Sequence, residues 1–292
     1  MTYKIANICF SMPDEFITGF LTQALSPFRV EDAAEVDFEL SYCPEVEAEG
    51  EYHQIESFDF AEAEAKCSFG RDEHQNYILK MYPHEDHPTT TFRISDHGSK
   101  VVCNYAEGHL ESILRFGLWI AYNIVAVQHH IVAIHSSVIV YKDQAILMLG
   151  ESGTGKSTQT RLWRTHIEGA RLLNDDSPIV CARTGDCAEA YGSAWSGKTP
   201  CYLNAHVPIR AFVRLSQAPH NKIRKLSRLE SIGALLPSCP LAFSHDKYLF
   251  DFVCGTVSAI LKHTDVYHLE CLPNKEAAEL TCKTLFEDEI NR

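Results

Sequence analysis

Basic residues are scarce in this 292-residue sequence: 26 lysines and arginines stand against 39 aspartates and glutamates, a formal net charge of −13. A protein that grips nucleic acid or anionic membrane broadly needs a dominant cationic surface, so neither is expected as a partner and only local basic sites stay open. Paired cysteine motifs are absent too. Eleven cysteines are scattered without one C-x-x-C step, which points to reduced thiols rather than a disulfide frame and offers no zinc site. The N-terminal "MTYKIANICFSMPDEF" lacks the long apolar core of a secretory signal, being interrupted at Pro13, Asp14 and Glu15. The most apolar stretch, "FGLWIAYNIVAVQHHIVAI", is broken by Asn123, Gln128, His129 and His130, so a buried helix running into a strand is expected rather than a membrane span. Together these features predict a cytoplasmic protein.

Of the residues, 45% are hydrophobic, enough to build a small and a larger domain. Residues 1–105 are acidic and carry short β-type runs, "VDFELSYC", "YILKMY", "TTTFRIS" and "KVVCNY", between polar turns, which predicts a small β-rich N-terminal domain. Within it, "EVEAEGEYHQIESFDFAEAEAK" reads as a solvated acidic face or loop, and "PHEDHP" at 83–88 as a surface turn. From Glu107 the pattern becomes helical, with Leu110, Ile113, Leu114, Leu118 and Ala121 on one face. This helix is expected to open the second domain, 106–292.

Two β-type runs follow, "IVAIHSSVIVY" and "QAILMLG", separated by Lys142 and Asp143. If those two residues form the turn of a hairpin, Tyr141 faces Gln144 and His135 stands opposite Gly150. A histidine in an apolar strand is ordinarily a satisfied core residue, but that register puts this one at the mouth of the next loop.

The loop is "GESGTGKS", from Gly150 through Glu151, Ser152, Gly153, Thr154, Gly155 and Lys156 to Ser157, with Thr158 behind it. It fits G-x-x-x-x-G-K-[ST], follows a strand-like run and precedes the helix-compatible "STQTRLWRTHI". The glycines let successive N–H groups turn inward toward phosphate oxygens, and the helix N-terminus adds positive partial charge. Lys156 can reach the β- and γ-phosphates and the Ser157 hydroxyl can ligate magnesium. ATP and Mg²⁺ are therefore the expected cofactors. In "RLLNDDSPIV", Asp175 and Asp176 end a short strand 19 residues beyond Lys156. Adjacent carboxylates on an extended segment point to opposite sides, so one can serve the magnesium shell while the other takes a proton from an attacking hydroxyl.

In order and spacing, "HSSVIVY…ILMLGESGTGKST…RLLNDDSPIV" resembles the catalytic core shared by HPr kinase/phosphorylase and ATP-dependent phosphoenolpyruvate carboxykinase, over roughly residues 107–215. The resemblance implies a mixed, curved sheet in an α/β core. It also implies Asp175 as base, Asp176 in the magnesium shell, His135 as a phosphate-side or metal-side partner, and an oligomer, with the adjacent aspartates open to the reverse assignment. It stops at "AEAYGSAWSGKTPCYLN", where HPr kinase has a glycine-rich signature with an acidic residue; Glu189 comes slightly early for it. HPr is thus unsupported as the acceptor, and Ser196, Lys198 and Thr199 stand as residues that could hold an anionic group. Farther on, the segment 210–239 reads as a strand, a polar loop with Arg224, Lys225 and Arg228, and a helix, and residues 274–290 as an amphipathic C-terminal helix. The expected activity is phosphoryl transfer from ATP to a hydroxyl, serine above all, of a protein, peptide or small molecule. A carboxykinase-like decarboxylase and a non-catalytic ATP-sensing module are the alternatives.

Overall fold

The computed structural model describes residues 1–31, 35–182, 187–197 and 199–286, Leu241 by its backbone alone. The fold is mixed α/β and divides into two compact units, residues 1–129 with 242–250 and residues 130–241 with 251–292.

The first unit is built on β1 (Thr2–Ile5), β2 (Ile8–Ser11), β3 (Arg29–Val30), β4 (Phe38–Tyr42), β5 (His53–Phe60), β6 (Ala65–Arg71), β7 (Tyr77–Pro83), β8 (Thr90–Ile94) and β9 (Lys100–Cys103), with helices α1 (Gly19–Leu25) and α2 (Glu111–Gln128). The strands form one sheet in the order β3-β1-β2-β4-β9-β8-β7-β6-β5. It is antiparallel except where β4 meets β2 and β9. Strand β5 lies inside the acidic tract expected to be a solvated face or loop. It pairs with β6 at the end of the sheet order and is mostly exposed or half-buried, so charged side chains sit on an edge strand, where they discourage pairing with another chain.

Helix α2 belongs to this unit, which moves the boundary from the expected 105/106 to His129/His130. Its apolar residues are not confined to one stripe: Ile113 through Val127 are buried but for Arg115 and Trp119, the pattern of a helix enclosed by its own domain. It packs so closely on β8 that a Cβ at Gly117 would lie 2.1 Å from the Phe92 ring. The Tyr122 hydroxyl donates to the Ile5 carbonyl across 3.0 Å. No helix among the described residues is long and apolar enough to cross a membrane.

The second unit comprises β10 (Ile131–Ala133), β11 (Ser136–Tyr141), β12 (Gln144–Leu149), α3 (Lys156–His166), β13 (Arg171–Asp176), β14 (Ile179–Cys181), β15 (Glu189–Tyr191), β16 (His206–Gln217), β17 (Lys222–Lys225), α4 (Arg228–Leu235), most of α5 (Lys247–His263), β18 (Asp265–Cys271) and α6 (Lys275–Phe286). Its sheet runs β10-β14-β15-β16-β12-β11-β13, with β18 also on β16 and β17 on β18. The pairs β12·β16 and β16·β18 are parallel; the remaining pairs are antiparallel. Ile139, Ile146, Met148, Val213 and Leu269 pack with Trp163 of α3 and Ala278 and Leu285 of α6 in one apolar cluster. That packing fixes α3, and with it the loop, against the sheet. The last four residues of the helix expected over 274–290 lie outside the described residues.

Candidate functional site

The hairpin register is as the two-residue turn requires: Tyr141 pairs with Gln144 and Ser136 with Leu149. Lys142 and Asp143 take φ of 48° and 54°, the left-handed pair of a type I′ turn, whose twist matches that of the flanking strands. The apolar run 131–141 is not one strand but two. It breaks at Ile134 and His135, where the Ile134 amide donates to Pro178 O and the His135 amide to Ser238 O. His135 thus sits just before β11, and its ring is 44% exposed instead of filling the core.

Between β12 and α3 the chain folds as a compact loop. Gly155 caps the helix at φ 106°, and at neither Gly153 nor Gly155 would a Cβ meet another atom within 4 Å. The glycines there serve backbone conformation, both standing at positive φ. Lys156 folds over the loop and donates to Gly150 O at 2.7 Å and Glu151 O at 3.1 Å. Burial pushes its pKa below the ordinary lysine value; Asp176 and Asp175 oppose that shift and Arg214 adds to it. Thr154 closes the turn on Glu151 O, while Glu151 and Ser152 are exposed and Thr158 is half-buried in the first turn of α3.

The two aspartates of β13 do face different partners. Asp175, 4% exposed, accepts from the Ser157 hydroxyl at 3.0 Å. Asp176 lies 3.3 Å from Nδ1 of His135. Strand pairing explains the convergence: β13 lies on β11 with Asp176 beside Ser136 and Asp175 beside Ser137, while β11 lies on β12, which delivers the loop. Asp176 has φ 136°, a region disfavoured for any residue with a side chain. It is held there by a bridge to Ser196 and by the Gly197 amide, which donates to Asp175 O. Asn174 braces the segment from behind, giving Nδ2 to Ser193 Oγ and Trp195 O and accepting from the Ser177 amide.

The stretch singled out for an anionic group divides. Ser196 is buried and its hydroxyl donates to Thr199 O at 2.7 Å and accepts from the Cys201 amide at 3.1 Å, so it buttresses the aspartates. Thr199 engages that network through its carbonyl, and Lys198 lies outside the described residues. Glu189 is buried in β15 and accepts from the Tyr191 hydroxyl. Arg224 and Lys225 are engaged by Glu230 and Asp265, and Arg228 donates to Leu261 O.

Two residues reach the site without having been singled out. Arg214 lies opposite Leu149 in the parallel pairing of β12 and β16, and its guanidinium approaches the Glu151 carboxylate at 3.7 Å. Gln217, at the end of β16, donates to Gly153 O at 3.1 Å. Both come from the carboxyl end of a strand parallel to β12, the edge where open α/β sheets bind ligands. In "RAFVRLSQ" Arg210, Arg214 and Ser216 fall on one face of the strand and Gln217, at its exposed end, on the other, and only the non-local pairing brings Arg214 and Gln217 to the loop.

No group of three or more His, Cys, Asp and Glu side chains among the described residues could hold a metal ion alone. Ser157 and Asp175 offer hard oxygen donors and few of them, which fits magnesium, an ion that keeps waters and takes phosphate oxygens to complete its shell. A glycine loop beside two cations and two carboxylates can hold a polyphosphate, neutralise its charge and accept a proton beside it. A scan against protein-family models and a search of curated proteins both found no match to this chain.

Proposed function

We propose that the protein is an ATP-dependent kinase that moves the γ-phosphoryl group to a hydroxyl, serine being the leading acceptor. The observation that carries this reading is the convergence of the Ser157 hydroxyl on Asp175 and of His135 on Asp176 at one edge of the phosphate loop. A nucleotide-binding loop alone needs one metal-side carboxylate; here a second, with its own histidine, stands next to it.

The contacts favour a division of roles opposite to the one the resemblance implies. Asp175 holds the loop hydroxyl and is the carboxylate that, with Ser157, would hold magnesium. When bound, magnesium supplies positive charge to the terminal phosphate oxygens. Asp176 is less buried, and His135 fixes its orientation; it is placed to accept the acceptor's proton as the phosphoryl group arrives. Lys156 and Arg214 stabilise the negative charge that develops on the transferred group. The strained Asp176 backbone, clamped by Ser196 and Gly197, holds the base in one position before substrate binds.

The test is phosphoryl transfer from labelled ATP to a panel of free serine, threonine, short serine peptides and a phosphate-carrier protein. Transfer to one of them identifies the acceptor. On that acceptor Asp176→Asn slows turnover by about 10²–10⁴-fold, the usual worth of a general base, with magnesium dependence unchanged; Asp175→Asn shifts the magnesium requirement upward. Transfer to no hydroxyl compound, with ATP still bound, favours an ATP sensor instead.

A further inference from the structure

Beside the phosphate loop, the second unit contains a groove of about 510 Å³, within the roughly 300–1,000 Å³ typical of small-molecule clefts. Its lining runs from Gly153 and Thr158 through Gln159 to Ala218, Leu272 and Pro273, and no charged side chain is among the residues that line it. A surface of that kind does not take phosphate. It suits the uncharged half of a nucleotide whose phosphates lie on the loop.

The walls are tied together by the protein's own hydrogen bonds. Gln217 holds Gly153 O, the Ala218 amide donates to Cys271 O at 3.2 Å, and the Leu272 amide donates to Asn221 Oδ1 at 2.8 Å. Asn221 in turn donates to Asn274 Oδ1 at 2.9 Å. A groove held open in this way loses little freedom on binding. Gln159 is 2% exposed. Its Nε2 donates to Leu272 O at 3.2 Å, and because a carbonyl only accepts, that contact fixes which way the amide faces. Oε1 is left buried with no hydrogen-bond partner among the described residues. Buried acceptors are nearly always satisfied, so this one calls for a donor.

We infer that this groove is the base-and-ribose subsite of the nucleotide, taking a purine whose exocyclic amino group donates to Gln159 Oε1. The inference rests on the phosphate-loop reading. The full-length protein is tested by calorimetry with magnesium and three ligands: ATP, purine riboside triphosphate, which lacks the amino group, and inorganic tripolyphosphate. ATP binds at least tenfold tighter than tripolyphosphate and about tenfold tighter than the riboside triphosphate. Gln159→Leu abolishes the second preference. Ala218→Trp, at a half-buried position where the larger side chain fills the groove without entering the core, brings ATP down to the tripolyphosphate affinity and leaves tripolyphosphate unchanged. Equal binding of ATP and tripolyphosphate by the wild type, or equal losses of both in Ala218→Trp, overturns the subsite while sparing the phosphate loop. A preference for the amino group that survives Gln159→Leu overturns the role given to Gln159. Failure of the wild type to bind any of the three overturns the phosphate-loop reading and this inference with it.

Discussion

On the proposed nucleotide-binding role, Lys156 trades stability for binding. Its ammonium is taken partly out of water and donates to two carbonyls of its own loop, and its pKa falls below the ordinary 10.5 because burial disfavours the charged form more than the nearby Asp176 and Asp175 favour it. A lysine whose folded pKa is depressed binds protons more weakly in the native state, so its cost to folding is fully present below the folded pKa and is relieved as pH rises toward 10.5. Lys156→Met keeps the stem and removes the charge. It should lose ATP affinity many-fold by calorimetry while its urea midpoint at neutral pH equals or exceeds that of the wild type, with the difference shrinking as pH approaches the lysine range. A variant that binds ATP undiminished removes the phosphate loop from the site. The turn between β12 and α3 was legible in eight consecutive residues, because a loop motif encodes its own geometry. Arg214 was not, although it sits beside the same loop, since the parallel pairing that carries it there joins Leu149 to Arg214, 65 positions farther along the chain.

At the level of elements, the β11–β12 hairpin does most to assemble the site, because it fixes where His135 stands relative to the loop. Its register was readable from the two polar residues between two apolar runs. The break of the first run at His135 was not, because Ile134 and His135 leave the strand through bonds to Pro178 and Ser238, groups far along the chain. The turn itself is poorly chosen for its conformation. Lys142 and Asp143 both carry side chains at positive φ, where a residue with a Cβ is penalised by roughly 1–2 kcal/mol. Asp143 is 93% exposed and makes only a 3.4 Å surface contact with Arg171, which contributes little. Asp143→Gly should therefore raise stability in urea by about 0.5–1 kcal/mol, after the entropic cost of glycine is set against the relief, with the ATP affinity unchanged. A loss of stability would mean that the Asp143–Arg171 contact outweighs the strain. The acidic tract around β5 illustrates the opposite failure of local reading: its charges belong on an edge strand as naturally as on a loop, and only the partner strand β6 distinguishes the two.

Over the whole molecule, the chain does not finish one unit before starting the next. It leaves the first unit after His129 and returns to it for residues 242–250, a crossing that no local pattern announces, which is why a boundary read from a change in periodicity fell at the wrong end of α2. The returning segment is held by charge as well as by packing. Asp246 is 5% exposed, and its carboxylate meets the Arg71 guanidinium at 2.8 Å and 3.2 Å, while Arg71 also lies over the Tyr77 ring and bonds to its hydroxyl. Asp246 Oδ1 also accepts from the Leu249 amide in the first turn of α5. Removing one member of such a pair leaves the other charge under-compensated, which typically costs about 3–5 kcal/mol. With Asp96 at 3.4 Å as a second, more exposed partner for Arg71, Asp246→Ala should fall near the lower end, about 3 kcal/mol in urea unfolding. Asp246→Asn, which keeps an acceptor for Leu249 but not the charge, should lose less. Because the phosphate loop and both aspartates belong entirely to the other unit, ATP affinity measured well below the unfolding midpoint should remain at the wild-type value in both variants. A parallel fall of stability and ATP affinity would mean that the returning segment also shapes the nucleotide site, and a negligible loss in Asp246→Ala would mean that packing alone retains it.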